Sequence, residues 1–147
     1  MRFTILAGRV LYAAIFITAA PGHFTGGAVA MAAQQGVPIA GLLVPLSGVL
    51  ALAGGLSVLL GYRAKVGGWL LAAFLVPVTI AMHAFWAVKD PATAQMQMAM
   101  FLKNLSMLGG ALVVAYFGAG PLSVDSWLAR RSAAHHVTTG VAHAAAR

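Results

Sequence analysis

From Leu42 to Gly61 the chain runs for twenty residues without a charged side chain. A helix rises about 1.5 Å per residue, so this run crosses a hydrocarbon core of about 30 Å. With lipid as the solvent, backbone N–H and C=O groups must be satisfied within the protein, which makes the segment a helix. Ser47, Ala51 and Gly55 recur at every fourth position, so small side chains share one face. Such a face lets a neighbouring helix come close. This stretch sets the class of the whole protein: an all-α bundle in a membrane.

Composition supports that class. Of the 147 residues, 61% are hydrophobic and 7% charged, against roughly 25% charged in a soluble domain. A chain of this length has room for one domain. The net charge of +7 comes from nine basic residues against two acids. These basic residues are dispersed between apolar runs, which fits flanking charge on membrane helices and excludes a nucleic-acid binder. The absence of cysteine excludes disulfides, thiolate zinc sites, protein-ligated iron–sulfur clusters and dithiol chemistry. A redox role would rest on a bound cofactor or a partner.

Four spans are predicted, at about 4–22, 42–61, 66–86 and 99–117, within a membrane domain over 1–128. The first is apolar from Ile5 to Ala20 except for Arg9, and Pro21-Gly22 closes it. A signal peptide is the alternative, with Arg2 as basic start and Ala28-Val29-Ala30 as cleavage site; Arg9 inside the apolar run favours a retained span. Arg9, Tyr12, Phe16 and His23 share a helical face by spacings of three, four and seven. Arg9 either snorkels to the nearer surface or points into the bundle. Ala28 to Gln35 is either a short interfacial helix or a plain loop. In the third span Pro77 should kink the helix near Ala73, with Thr79 or a neighbour satisfying the freed carbonyl.

Residues 87–98 read as a polar loop, and Asp90 and Asp125 as turn or cap residues. Gly109-Gly110 suggests close packing in the fourth span, Gly118 to Pro121 stops it, and Trp127 is an interfacial anchor. Residues 129–147 are expected to form a disordered cytoplasmic tail, whose His135, His136 and His143 would bind metal only adventitiously. Arg2, Arg9, Arg63, Lys65, Arg130 and Arg131 fall on one side of the topology and Lys89 and Lys103 on the other. By the positive-inside rule both termini face the cytoplasm of a multi-pass inner-membrane protein.

This orientation brings His23, His83, Trp86, Lys103 and Asn104 near the outer ends of their helices. Ionisable groups at membrane depth normally face a protein interior or a water-filled pocket. His83 and Trp86, three apart, share a face, and Lys103 and Asn104 open the next antiparallel helix. One reading is a cofactor pocket for a quinone headgroup, with Lys103, Asn104 and Trp86 as donors and an imidazole as proton relay. Arg9 joins the candidates through its shared face with His23. The other reading is an aromatic belt with a snorkelling lysine and an amide tying helices together.

Met96, Met98, Met100 and Met107 offer thioethers suited to Cu(I), but Lys103 shares the face of Met96, Met100 and Met107 and would repel a cation. Methionine as packing is the simpler reading, and no metal is expected. The sequence carries no catalytic triad, paired carboxylates, phosphate loop or zinc helix.

The order of several motifs resembles the DoxX family. They are Arg9; Gly36-Val37-Pro38; Gly54-Gly55 with Gly61-Tyr62-Arg63; His83-Ala84-Phe85-Trp86; Phe101-Leu102-Lys103-Asn104-Leu105 with Gly109-Gly110; and Gly118 to Asp125. The resemblance implies a four-helix protein of the bacterial cytoplasmic membrane, related to quinone-linked subunits of thiosulfate oxidation and to oxidative-stress systems. The chain departs at Ala51 and His23, where such proteins carry glutamate and lysine, leaving the pocket without a carboxylate. The leading expectation is a membrane subunit of a quinone-linked oxidoreductase serving a redox protein partner in the lipid bilayer. The alternatives are a non-catalytic anchor or scaffold, and a small-molecule or metal transporter that would need to form a homo-oligomer.

Overall fold

The computed structural model describes residues 2–133. Helix α1 (Arg2–Ala19) passes into a 3₁₀ turn, Ala20–Phe24, at Pro21, which has no N–H to continue the ladder. Thr25 caps the short helix α2 (Gly26–Gln34), its hydroxyl accepting from the Ala28 amide at 3.3 Å. The helical alternative for this stretch is therefore the one adopted. Helices α3 (Ala40–Leu60) and α4 (Ala64–Met82) are joined by a tight turn, and a 3₁₀ turn over Phe85–Ala87 leads to α5 (Pro91–Phe117). A last helix, α6, runs over 124–133.

Four segments are long and apolar enough to cross a membrane: Arg2–Phe24, Ala40–Leu60, Ala64–Ala87 and Pro91–Phe117. Their outward faces carry large apolar side chains such as Leu11, Tyr116 and Phe117, each about three-quarters exposed (76%, 75% and 74%). Such surface is stable against lipid and not against water. The protein is an all-helical membrane bundle.

Neighbours in the bundle follow chain order. Helix α1 packs on α3, α3 on α4, and α4 on α5. The Tyr12 hydroxyl donates to the Met107 carbonyl at 2.5 Å and links α1 back to α5. Small residues make these contacts close. A Cβ on Gly55 would lie 3.2 Å from Cβ of Phe16, and one on Gly68 would lie 2.6 Å from the Ala115 nitrogen. The expected small face of α3 is used in this way: Ala51 is sealed, Gly55 meets α1, and Ser47 bonds His23. Leu71, Leu75 and Val58 fill the centre with Phe16 and Phe74.

Three expectations are corrected. Residues 91–98 are not loop but the first turns of α5, which the Asp90 carboxylate starts by accepting from the Thr93 amide (2.8 Å) and hydroxyl (2.6 Å). At 27 residues, α5 is about 40 Å long, more than a hydrocarbon core of about 30 Å needs. Those two bonds hold the Asp90 carboxyl below its usual 3.8. The cap is therefore intact at neutral pH and is lost only as pH falls below the ordinary carboxylate range. Residues 129–133 belong to α6 and not to a disordered tail; residues 134–147, with His135, His136 and His143, lie outside the described residues. Finally, the Thr79 hydroxyl donates to Leu75, not to the Ala73 carbonyl that Pro77 leaves without its donor.

Candidate functional site

At the end that the basic residues assign to the cytoplasm, chain closure depends on one cation. Arg9 is 6% exposed, and its guanidinium donates through Nε to Leu59 O (3.2 Å), through Nη1 to Ala119 O (2.8 Å) and through Nη2 to Leu122 O (2.9 Å). These carbonyls belong to the last turn of α3 and to the link between α5 and α6, where helix geometry leaves acceptors unused. Gly61 makes the approach possible. Its φ is +66°, and a Cβ there would lie 2.5 Å from Cβ of Ser123 and 3.0 Å from Arg9 Nη1. Asp125 completes the lock by accepting from the amides of Arg63 (2.8 Å) and Ala64 (3.1 Å), while its own amide donates to Gly61 O (2.9 Å). It therefore caps α4 from a distance in sequence.

Arg9 thus points into the bundle, at the end opposite the other candidates, with its donors committed to backbone. The grouping of Arg9 with an outer-face site is corrected for that reason. Replacing Asp125 with alanine should lower stability by about 1–2 kcal/mol, in the range of a lost cap, and asparagine should cost less because it keeps one acceptor. Thermal melts in detergent followed by circular dichroism would check this.

The outer half holds two separate stations. In the deeper one, His23 Nδ1 lies 2.8 Å from Ser47 Oγ, and the Ser47 hydroxyl donates to Val44 O at 2.6 Å. With the serine proton used there, His23 Nδ1 carries the hydrogen and Nε2 keeps its lone pair. The His23 ring stands edge-on to Phe74 at 5.5 Å, which in turn meets Phe16 at 6.3 Å and, through it, Tyr12 at 5.3 Å. The shared face of Tyr12, Phe16 and His23 is therefore an aromatic column through the bundle. Asn104 is 4% exposed, yet none of its polar atoms is a sealed, unbonded group. Because Gly68 abuts Ala111 and Ala115, antiparallel counting places Asn104 opposite Pro77, within about one turn of the His23 level.

The second station is the mouth. His83 ends α4, and its Nδ1 lies 2.7 Å from Oε1 of Gln97 in the second turn of α5. A carboxamide oxygen only accepts, so His83 also carries its hydrogen on Nδ1 and offers a bare Nε2. Beside it, Phe85, Trp86 and Phe101 form an edge-to-face cluster with centroids 5.1, 5.6 and 5.8 Å apart. Trp86 remains 61% exposed. From Phe74 to His83 is nine residues, so the two imidazoles differ in depth by about 13 Å and cannot share one small headgroup. Lys103 is exposed while its neighbour Asn104 is buried, as consecutive helical positions point about 100° apart. The lysine does not line the interior beside Asn104.

Sequence reasoning missed Gln97, placed in a supposed loop, the bond of Ser47 to His23 and the close approach at Gly61; it read Asp125 as a turn or cap residue but not that the helix it caps is α4. Gln97 carried a usable signal in the Asp90-Pro91-Ala92-Thr93 helix start ahead of it.

With this geometry in view, the comparisons decide the family. The SURF4 family model matches residues 1–128. The chain belongs to the SURF4 family. It is 30% identical over 127 residues to the inner membrane protein YqjF of Escherichia coli (strain K12), an alignment covering 86% of this chain and 93% of that protein. No solved structure matches significantly. The SURF4 match overturns the DoxX resemblance. The motifs that suggested DoxX include turn glycines and a buried arginine, and here those serve to close the cytoplasmic end of a four-span bundle. They report architecture more than ancestry. This SURF4-family chain is a multi-pass protein of the inner membrane, set in a lipid bilayer.

Proposed function

We propose that the outer mouth of this SURF4-family protein binds the headgroup of a quinol, making the chain a membrane subunit for a redox partner protein. The observation that supports this is the fixed tautomer of His83: Gln97 takes its Nδ1 hydrogen, leaving Nε2 to accept from a hydroxyl. The reduced form of a quinone has that hydroxyl and the oxidised form does not. Phe85, Trp86 and Phe101 supply an apolar surface for the ring, and a lipid tail would stay in the outer leaflet. His83 is also placed to take a proton from the bound hydroxyl. The electrons would pass to the partner, since the residues at the mouth offer no carrier of their own.

The His83 Nε2 acceptor adds to the sequence expectation of Lys103, Asn104 and Trp86 as three converging donors, of which Trp86 stands at the mouth. Replacing His83 with alanine should weaken binding of a short-chain quinol about fivefold, the worth of one neutral hydrogen bond, with helical content unchanged. Lys103→Ala should leave the affinity where it was. Quenching of Trp86 fluorescence on titration with the quinol would measure both. Equal affinity of His83→Ala and the parent would reject the mouth as the site and favour the anchor or scaffold reading.

A further inference from the structure

We infer that the cytoplasmic end of the α4–α5 groove is a binding site for one anionic glycerophospholipid of the inner leaflet. A cavity of about 620 Å³ opens there, lined by Arg63, Lys65, Gly118, Ser123 and Ser126 among others. Lys65 also borders a second hollow of about 610 Å³, whose walls are Trp69, Leu112 and Tyr116 and whose floor is Ala115. One side chain thus joins a chamber whose mainly apolar walls carry two cations and the Ser123 and Ser126 hydroxyls to a trough bounded by Trp69, Leu112 and Tyr116 on the lipid-facing surface. A phospholipid has the same division, with a phosphate next to hydrocarbon.

Charge favours an anionic occupant. Asp125 is the single acid in the chamber, and both its oxygens are engaged by the amides of Arg63 and Ala64. Arg63 and Lys65 supply two cations at the site, and Arg130 and Arg131 follow on α6. The Lys65 stem lies along the end of α5, within ordinary contact distance of where a Cβ on Gly118 would be, 3.6 Å from Lys65 Cε. Trp69 is one turn beyond Lys65, about 6 Å deeper, where the first methylenes of an acyl chain would begin. Trp69 and Tyr116 are 62% and 75% exposed, suited to flanking a chain at interfacial depth. Ala115 sits low because α4 and α5 meet at Gly68.

The test uses the full chain carrying Trp86→Phe and Trp127→Phe, so that Trp69 alone reports. It is reconstituted in phosphatidylcholine vesicles containing a minor fraction of either phosphatidylglycerol or phosphatidylcholine brominated on the acyl chains. Brominated phosphatidylglycerol should quench Trp69 more strongly than brominated phosphatidylcholine at the same fraction. Lys65→Gln should lower the apparent preference about fivefold, as expected for one basic residue at an anionic surface. Lys65→Arg should retain it, as should the outer-face control Lys103→Gln. Equal quenching by the two lipids would overturn the inference, and so would a preference that survives Lys65→Gln.

Discussion

Arg9→Ala is expected to destabilise the bundle by about 3–5 kcal/mol, since hydrogen bonds to a charged group are worth about 1.5–3 kcal/mol each and water can replace part of what the three carbonyls lose. Three carbonyls, of Leu59, Ala119 and Leu122, lose their donor together. Two of them lie in the link to α6, so the effect should be local before it is global. The α6 segment should detach from the turn at Gly61 while the four spans persist. Arg9→Lys should rescue little, because one ammonium does not reproduce the guanidinium fork that serves three acceptors at once. Cysteine labelling at Val124 would follow the segment directly, with slow labelling in the parent and fast labelling in Arg9→Ala. A thermal melt would give the global loss. Unchanged stability in Arg9→Ala would mean that the cation is dispensable and that Asp125 alone holds the cytoplasmic end.

Gly68→Leu should prevent assembly of α4 against α5. A Cβ at this position would sit 2.6 Å from the Ala115 nitrogen and 2.7 Å from the Ala111 carbonyl oxygen. Those atoms are backbone and cannot move without separating the helices. Even Gly68→Ala should cost about 1–3 kcal/mol through overpacking. Gly109→Ala is the matched control, since nothing lies within 4 Å of a Cβ there, and a helical Gly to Ala change in open space is favourable by up to about 1 kcal/mol. The contrast between Gly68 and Gly109 separates close approach from helix propensity. Melting temperatures in one detergent would rank the three variants. Equal melting temperatures for Gly68→Ala and Gly109→Ala would show that α4 and α5 do not meet at Gly68.

What could be read from sequence was the part governed by lipid. Uncharged runs longer than the bilayer and a small-residue face at Ser47, Ala51 and Gly55 fix spans and packing faces with no tertiary information. What could not be read was anything set by contacts distant in the chain. Asp125 caps α4 across 62 and 61 positions, and Arg9 reaches Leu122 across 113. Nothing local marks either partnership. The outer residues illustrate the same limit. Topology puts His23, His83 and Trp86 toward one side, while Lys103 and Asn104 fall in the middle of α5. Packing then divides them by depth and by face, with His23 on α3, His83 on Gln97, Asn104 inward and Lys103 outward. Of the glycine pair in the fourth span, a Cβ on Gly110 would lie 2.7 Å from the Tyr12 ring and one on Gly109 would meet nothing within 4 Å, a difference that depends on which face α1 occupies.

The measurement that tests the functional reading most directly is mass spectrometry of organic extracts from the protein purified in mild detergent, compared with His83→Ala prepared in parallel. The expected result is close to one quinone or quinol per chain in the parent and a clear loss in His83→Ala, with Asp125→Asn retaining the bound molecule because its contacts lie at the other end of the bundle. Extracts free of quinone from folded parent protein, or equal amounts in the parent and His83→Ala, would contradict the assignment of the mouth as a quinol site.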